Sequence, residues 1–280
     1  MNLDFYADNY YGAERFLKHF CLQKKAPALP FLSELTRVFC KIPYENATKL
    51  LKVRSGAEGA KRLRLPEEVL EDYLRFGAGG TCFSLTFFFH TILKNLGFES
   101  YPVMGDRSYG MNTHCALIVD FVGEKFLVDP GFLVDQPIAL DPLQDTVLRT
   151  AFNTIIVSPS PSDQNYHFYT IHQNNKKWRY RLKIKPVDWE EFYRHWTDSF
   201  SWSGLNSVVI TAVMGGRQIY FRDNHLRIVA PDQVLRQTVK NPSELETIFG
   251  IHAPLLCQAL ESIPSSGDSS VDRIQNEAKI

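Results

Sequence analysis

Cys82 occupies a position from which a cysteine can act as a nucleophile. It follows a Gly-Gly-Thr segment and opens an apolar run, 83–93, that is typical of a buried helix. A thiol in the first turn of a helix lies near unpaired backbone N–H groups and the positive end of the helix dipole, and both favour the thiolate. Cys82 is therefore a candidate nucleophile.

His114 and Asp129 are candidates for the base and the orienting acid of this thiol. Each lies in a strand-like segment, and residues 122–125 (Val-Gly-Glu-Lys) predict a tight hairpin between the two segments. The hairpin would bring His114 and Asp129 within one or two positions of facing each other. A histidine can take the thiol proton, and a carboxylate can fix the tautomer of that histidine. Singly, His114 would be read as a core histidine and Asp129 as a turn residue, but together with Cys82 they predict a catalytic triad.

The remaining cysteines and histidines carry weaker signals. A single cysteine is most often a small buried hydrophobe. This interpretation applies to the other four, which are Cys21, Cys40, Cys115 and Cys257. The other histidines show no metal-ligand spacing with Cys, Asp or Glu, so no metal is expected.

The composition narrows the classes of function. The chain has 280 residues, of which 44% are hydrophobic and 22% charged, and its formal net charge is zero. These values are typical of a soluble globular protein and show no electrostatic footprint for nucleic acid. The short basic segment 61–64 is interpreted as a solvated helix face or a linker. No apolar run approaches the roughly 18 residues of a membrane helix, and no secretory leader pattern begins the chain, so a cytoplasmic protein is expected.

The apolar periodicity changes in the middle of the chain. Residues 1–95 have helical spacing, with helix starts at Pro66 and at Cys82. Beyond 98, short strand-like stretches alternate with breaks rich in Gly, Asp and Asn, one of them at 105–107.

Further elements are predicted in the last third of the chain. An amphipathic helix is expected over 188–198, and a hairpin is expected through Gly215 and Gly216. A capping box at Ser243 predicts the start of another helix.

Several segments in this order resemble the arylamine N-acetyltransferase family. They are 42–46 (Ile-Pro-Tyr-Glu-Asn), 79–83 (Gly-Gly-Thr-Cys-Phe), 113–119 (Thr-His-Cys-Ala-Leu-Ile-Val), 126–132 (Phe-Leu-Val-Asp-Pro-Gly-Phe), 216–220 and 244–251. Any one segment would be a weak match, whereas the ordered set extends over nearly all of residues 1–255.

The resemblance implies an α+β fold with a papain/transglutaminase-like arrangement. Its expected parts are a helical domain over 1–95 with Cys82, a β-barrel over 96–187 with His114 and Asp129, an α/β lid over 188–264 and a disordered tail over 265–280. It also implies ping-pong transfer of an acetyl group from acetyl-CoA, through a thioester on Cys82, to a small arylamine or hydrazine. Gly110, Thr211 and Gly216 are implied as coenzyme A contacts.

The sequence departs from the family pattern around the nucleophile. Ala78, Ser84 and Thr86 stand where the family has Arg, Glu and Asn, and Leu133 replaces a glycine. Glu45 is retained without its usual arginine at 78, and Arg75 would substitute only if the loop carried it round.

These departures leave two other functions open. One is a related cysteine amide synthase or amide hydrolase that uses another acyl donor. The other is a degenerate, non-catalytic relative that serves as a binding module.

Overall fold

The computed structural model describes residues 3–8, 10 and 12–263, so the predicted disordered tail over 265–280 lies outside the described residues. The helices are α1 (Leu3–Asp8), α2 (Ala13–His19), α3 (Leu29–Phe39), α4 (Ala47–Arg54), α5 (Pro66–Phe76), α6 (Cys82–Asn95), α7 (Trp189–Asp198), α8 (Pro242–Phe249) and α9 (Ala253–Leu260). No helix in this part of the chain is long and apolar enough to cross a bilayer.

The strands form two sheets. They are β1 (Tyr44–Glu45), β2 (Glu99–Arg107), β3 (Gly110–Phe121), β4 (Glu124–Val128), β5 (Ile138–Ala139), β6 (Thr146–Arg149), β7 (Thr154–Ser160), β8 (Asn165–His172), β9 (Asn175–Leu182), β10 (Val209–Met214), β11 (Arg217–Arg222), β12 (His225–Val229) and β13 (Val234–Thr238). The larger sheet has the order β5-β4-β3-β2-β9-β8-β7-β6, and the smaller one has the order β1-β10-β11-β12-β13. The predicted α+β class is confirmed.

Helix α6 begins at Cys82 and lies in the centre of the molecule. Every residue from Cys82 to Leu93 is buried, because this helix is apolar on nearly all sides and packs against elements all round it. Phe89 stacks on Phe39 of α3, and Phe88 contacts the same ring edge to face. The helix ends at Asn95, and Gly97 takes the left-handed conformation at φ +84° that stops it, as predicted.

The β3–β4 hairpin sets the positions of His114 and Asp129. Its two-residue turn has positive φ at both Val122 (+54°) and Gly123 (+80°), which is the turn that suits the right-handed twist of paired strands. The ladder pairs Leu117 with Val128. One step further along the same register, Asp129 lies two positions from His114, within the predicted offset.

Two local predictions are wrong. Residues 105–107 do not break the chain between strands but continue β2, which absorbs the irregularity in a bulge. The cap of α8 is Asn241, whose side chain accepts the N–H of Ser243 at 2.9 Å, rather than Ser243 itself. Pro242 needs no N–H partner at the first helical position, so the helix starts earlier than the capping box predicts.

Candidate active site

Two glycines allow the chain to approach closely before Cys82. A Cβ atom on Gly79 would lie 1.8 Å from the carbonyl oxygen of Pro43, and one on Gly80 would lie 2.3 Å from Oγ of Ser84. The first intrahelical hydrogen bond runs from Leu85 N to the carbonyl of Thr81, at 3.0 Å. The N–H groups before Leu85 therefore have no carbonyl partner within the helix, and they lie around the Cys82 side chain.

The structure brings the three predicted triad residues together. Cys82, His114 and Asp129 are all buried, and His114 Nε2 lies 2.8 Å from Asp129 Oδ2. Gly131 lies against the side chains of Cys82 and His114. A Cβ at this glycine would be 2.7 Å from Cys82 Cβ and 3.0 Å from His114 Cε1.

The surroundings of Asp129 fix the tautomer of His114. The backbone N–H of Phe132 donates to Oδ1 at 2.9 Å, and the Tyr180 hydroxyl donates to Oδ2 at 2.6 Å. A carboxylate that accepts these bonds can only accept from His114 as well, so Nε2 carries a proton and Nδ1 is the ring nitrogen left for Cys82. Tyr180 was not among the predicted site residues, because nothing in its strand pattern marks it.

The charges of this group favour a thiolate beside an imidazolium. Burial lowers the pKa of His114, but the carboxylate of Asp129 and the sulfur of Cys82 outweigh burial and raise it to about 9. The pKa of Cys82 lies well below its usual value, first because of a hydrogen bond from Cys115 and then because of His114 and Lys49, although burial opposes the shift. Across neutral pH, the thiol proton therefore resides on His114.

Cys115 is buried, as its sequence interpretation required, but it is also a partner of the nucleophile. The single proton of its thiol can be donated to Oγ1 of Thr86 at 3.6 Å, one turn along α6, or to the Cys82 sulfur, whose pKa this lowers. Burial and the neighbouring sulfur raise the pKa of Cys115, so it stays a neutral donor. Its position next to His114 in the chain was the available signal, but neighbouring residues of a regular strand point to opposite faces, so alternation alone would place it away from the site.

Replacing Cys115 by alanine should raise the pKa of Cys82. A hydrogen bond to a charged group contributes about 1.5–3 kcal/mol, so the pH profile of Cys82 alkylation by iodoacetamide should move up by about one pH unit or more. Thiolate is lost as pH falls through its pKa, so the variant should lose reactivity first on the acid side. Cys115→Ser keeps a donor and should stay close to wild type, and Cys40→Ala is the control for a remote buried thiol. An unchanged pH profile in Cys115→Ala would show that Cys115 does not stabilise the Cys82 thiolate.

Gly131→Ala should separate Cys82 from His114. The added methyl has no room between the two side chains, and a displacement of about 1 Å in an active site can cost roughly 100-fold in rate. The rate of enzyme acylation should fall by that order while the melting temperature shows that the chain is folded. Gly123→Asn, at an open turn position with positive φ, is the control that should keep its rate. A wild-type rate in Gly131→Ala would contradict the tight contact.

The arginine that pairs with Glu45 is Arg64 and not Arg75. Arg75 points to solvent and lies near Glu71, whereas Arg64 is buried with Nη1 3.5 Å from Glu45 Oε1. Arg64 also donates to the carbonyl of Gly79 and lies 2.5 Å from Asp72 Oδ2. The interpretation of 61–64 as a solvated face or linker is therefore wrong for Arg64, which braces the loop before the nucleophile.

Lys49 supplies a second buried cation near the nucleophile. Its Nζ donates to the carbonyl and hydroxyl of Ser199 at 2.8 and 2.6 Å and lies 4.4 Å from the centre of the Phe200 ring. Burial lowers the pKa of Lys49 to about 8, and its charge in turn favours the Cys82 thiolate. Among the described residues, no group of three or more His, Cys, Asp or Glu could hold a metal ion.

The three expected coenzyme A contacts lie in different places. Gly110 starts β3 opposite Arg107, and Thr211 pairs with Tyr44, whose pKa is raised by burial and then by the Cys82 charge. Gly216 lies in the β10–β11 turn, where a Cβ would be 3.3 Å from that of Ala151. Thr211 is thus joined through Tyr44 to the surroundings of Cys82, whereas Gly110 lies at the start of a strand and Gly216 at the tip of a hairpin.

Solved structures share this fold. An arylamine N-acetyltransferase from Mycobacterium abscessus superimposes with a TM-score of 0.77, at 19% identity over 91% of this chain and 96% of that one. The Mycobacterium marinum arylamine N-acetyltransferase in complex with CoA gives a TM-score of 0.74, at 17% identity over 88% of this chain and 94% of that one. The chain therefore has the arylamine N-acetyltransferase fold, and the predicted arrangement is confirmed.

Sequence comparison gives the family. A family model described as N-acetyltransferase matches residues 28–252. An arylamine N-acetyltransferase / N-hydroxyarylamine O-acetyltransferase from Salmonella typhimurium is 32% identical over 100 residues, and proansamycin X synthase from Amycolatopsis mediterranei is 29% identical over 98 residues. These alignments cover 33% and 32% of this chain and 33% and 38% of the two relatives, so the chain spans about a third of their length. The chain belongs to the N-acetyltransferase family, as its sequence segments predict.

Proposed function

We propose that this protein transfers an acetyl group from acetyl-CoA to an arylamine or hydrazine through a thioester on Cys82. The observation that carries the proposal is the convergence of three buried side chains: Cys82 and His114 both lie against Gly131, and His114 is held by Asp129 at 2.8 Å. Nucleophile, base and orienting acid are the parts that covalent acyl transfer by a cysteine requires.

In the first half-reaction, the Cys82 thiolate attacks the thioester carbonyl of the donor. The carbonyl oxygen gains negative charge, which the N–H groups of Cys82 and a neighbouring residue at the helix start would stabilise. When the intermediate collapses, the bond to the coenzyme A sulfur breaks. His114 gives its proton to that sulfur, coenzyme A leaves as a thiol, and the acetyl group remains on Cys82.

In the second half-reaction, the amine attacks the acetyl carbonyl on Cys82. His114 is now neutral and accepts the proton that the amine nitrogen loses. The carbon–sulfur bond breaks, the amide departs, and the thiolate–imidazolium pair is restored. Asp129 stabilises the imidazolium in both half-reactions and keeps Nδ1 directed at the sulfur.

The donor is proposed to be acetyl-CoA because a structural relative was solved in complex with CoA. Gly110, Thr211 and Gly216 remain the proposed backbone contacts for it. Thr211 pairs with Tyr44, which lies within reach of the Cys82 charge, and this supports Thr211 more than Gly110 and Gly216.

A second candidate is an amide synthase that receives its acyl group from another donor. The similarity to a relative that is named as a synthase and not as an acetyltransferase, proansamycin X synthase, favours it. Leu133, which stands where the family has a glycine directly beyond the Asp129 loop, is buried and takes a positive φ of +54°.

Initial-rate kinetics would test the first candidate. With acetyl-CoA and a panel of anilines and hydrazines, double-reciprocal plots at several amine concentrations should be parallel, because coenzyme A leaves before the amine reacts. Intersecting lines would contradict a free acyl-enzyme. Turnover with other acyl thioesters, but not with acetyl-CoA, would favour the second candidate.

A further inference from the structure

Four arginines form a continuous positive strip across the two sheets. Arg107 on β2 and Arg179 on β9 belong to the larger sheet, whereas Arg227 on β12 and Arg236 on β13 belong to the smaller one. The two sheets are tied beside the strip by His172, which lies 2.9 Å from the carbonyl of Ala230. This set is called the arginine strip below.

The members of the arginine strip repel one another. The pKa of Arg179 is lowered to about 10, first by burial and then by the charges of Arg107 and Arg227. The pKa of Arg227 is lowered by burial and then by Arg236, which is its directly opposed partner in the β12–β13 ladder. Like charges that face each other across a ladder are destabilising, so a bound anion would relieve this repulsion.

Protein carboxylates do not relieve it. Within the part of the chain that the structure describes, no Asp or Glu lies within 4.0 Å of a guanidinium nitrogen of the strip. Arg181 is the contrasting case on β9, since it forms ion pairs with Asp163 and Asp106.

Two N–H groups of the strip are buried and have no hydrogen-bond acceptor among the described residues. They are Nε of Arg107 and Nε of Arg227. Leaving a buried donor unsatisfied is costly, more so for a charged group. An anion with several oxygens would satisfy these donors, and guanidinium groups bind phosphate through paired, charge-assisted hydrogen bonds.

A bulge directs Arg179 into the strip. Tyr180 pairs with Phe168 and Trp178 pairs with Tyr169, so Arg179 is the extra residue of β9. Bulges turn a side chain away from the regular alternation. Nε of Arg179 donates a hydrogen bond to Thr170 Oγ1 at 2.7 Å, which holds one edge of the guanidinium in place.

Arg107 is the member of the arginine strip that lies next to the candidate active site. The Arg107 guanidinium lies 5.1 Å from the ring centre of Phe132, which packs at 5.3 Å on the ring of His114. It also lies 5.2 Å from the ring centre of Tyr109, which is exposed. A ligand that reacts at Cys82 would therefore extend its distant end along the strip.

We propose that the arginine strip of Arg107, Arg179, Arg227 and Arg236 binds the phosphate groups of a nucleotide-bearing acyl thioester. This inference rests on the proposed function, because it assigns a phosphate site to the donor of that reaction. The thioester lies at Cys82, and the phosphates of its nucleotide end neutralise the repelling arginines.

The double variant Arg179→Gln/Arg227→Gln tests the site. Its KM for acetyl-CoA should rise about tenfold or more for each arginine, because each charged hydrogen bond lost weakens binding by that order, whereas kcat should be unchanged. The KM for S-acetyl-pantetheine, which lacks the nucleotide, should be the same in the variant and the wild type. Arg181→Gln, on the same strand with carboxylate partners, should keep the wild-type KM for both donors. An unchanged KM for acetyl-CoA, or equal increases for both donors, would overturn the proposal.

A binding measurement separates this site from the acyl-transfer reaction. Adenosine 3′,5′-bisphosphate, titrated into the full chain by calorimetry, should bind to the wild type and to Arg181→Gln but about tenfold or more weaker to the double variant. That result would support the phosphate site even if no acyl-CoA were turned over, in which case only the proposed reaction would fail. Absence of binding to the wild type would overturn the site whatever the enzyme's activity.

Discussion

Asp129→Asn should lower kcat by about four orders of magnitude while the chain stays folded. In the wild type, Oδ1 accepts the Phe132 N–H and Oδ2 accepts both Tyr180 and His114. An asparagine oxygen would remain on Phe132, and its NH2 group would then face His114 Nε2. Because that group donates, Nε2 would have to become the acceptor and the ring proton would move to Nδ1. An imidazole protonated at Nδ1 cannot take the Cys82 proton.

The measurement is the single-turnover rate of acylation by acetyl-CoA, together with the pH profile of Cys82 alkylation. The profile should move to higher pH, since the imidazolium that stabilises the thiolate is lost. Asp120→Asn is a matched control, because Asp120 lies on the same hairpin and pairs with Lys125 at 2.9 Å, away from the triad. If Asp129→Asn acylated at the wild-type rate, Asp129 would not orient the base.

Cys82→Ser and His114→Ala should each lower kcat by roughly a million-fold, and the double variant should be scarcely worse than either. Serine at 82 has too high a pKa to ionise beside His114, and a thiol without His114 lacks both its base and its stabilising cation. Because each loss disables the same step, their effects on the activation free energy should not add.

The control for this cycle is Cys257→Ser, which replaces a half-buried cysteine of α9 that has no contact with the triad. Its activity should equal that of the wild type. If the double variant were worse than each single variant by another factor of a million, Cys82 and His114 would act independently, and the triad mechanism would be wrong.

The contact of the three candidate residues could be predicted because local rules fix each part. Gly79 and Gly80 predict a close approach, the apolar run predicts α6, and the Val122-Gly123 turn has the chemistry of a tight hairpin. These signals depend on residues near each other in the chain, where backbone preferences and periodicity decide the structure. The catalytic role of the triad stays a prediction.

The supporting residues could not be predicted, since long-range packing chooses them. Arg64 reaches Glu45 only because its loop folds back over the nucleophile loop, and no spacing in the sequence encodes that. Tyr180 reaches Asp129 because β9 pairs with β2 across a long separation in the chain. The bulge at Arg179 likewise reverses the face that simple alternation would assign.

The most direct test is an acid quench of the protein with acetyl-CoA, followed by intact-mass measurement and peptide mapping. One acetyl group should appear on the peptide that contains Cys82, and a brief addition of aniline or hydrazine should remove it. The Cys82→Ser variant should remain unlabelled under the same conditions. An acetyl group on another residue, at a rate that Cys82→Ser leaves unchanged, would contradict the assignment of Cys82 as the acyl carrier.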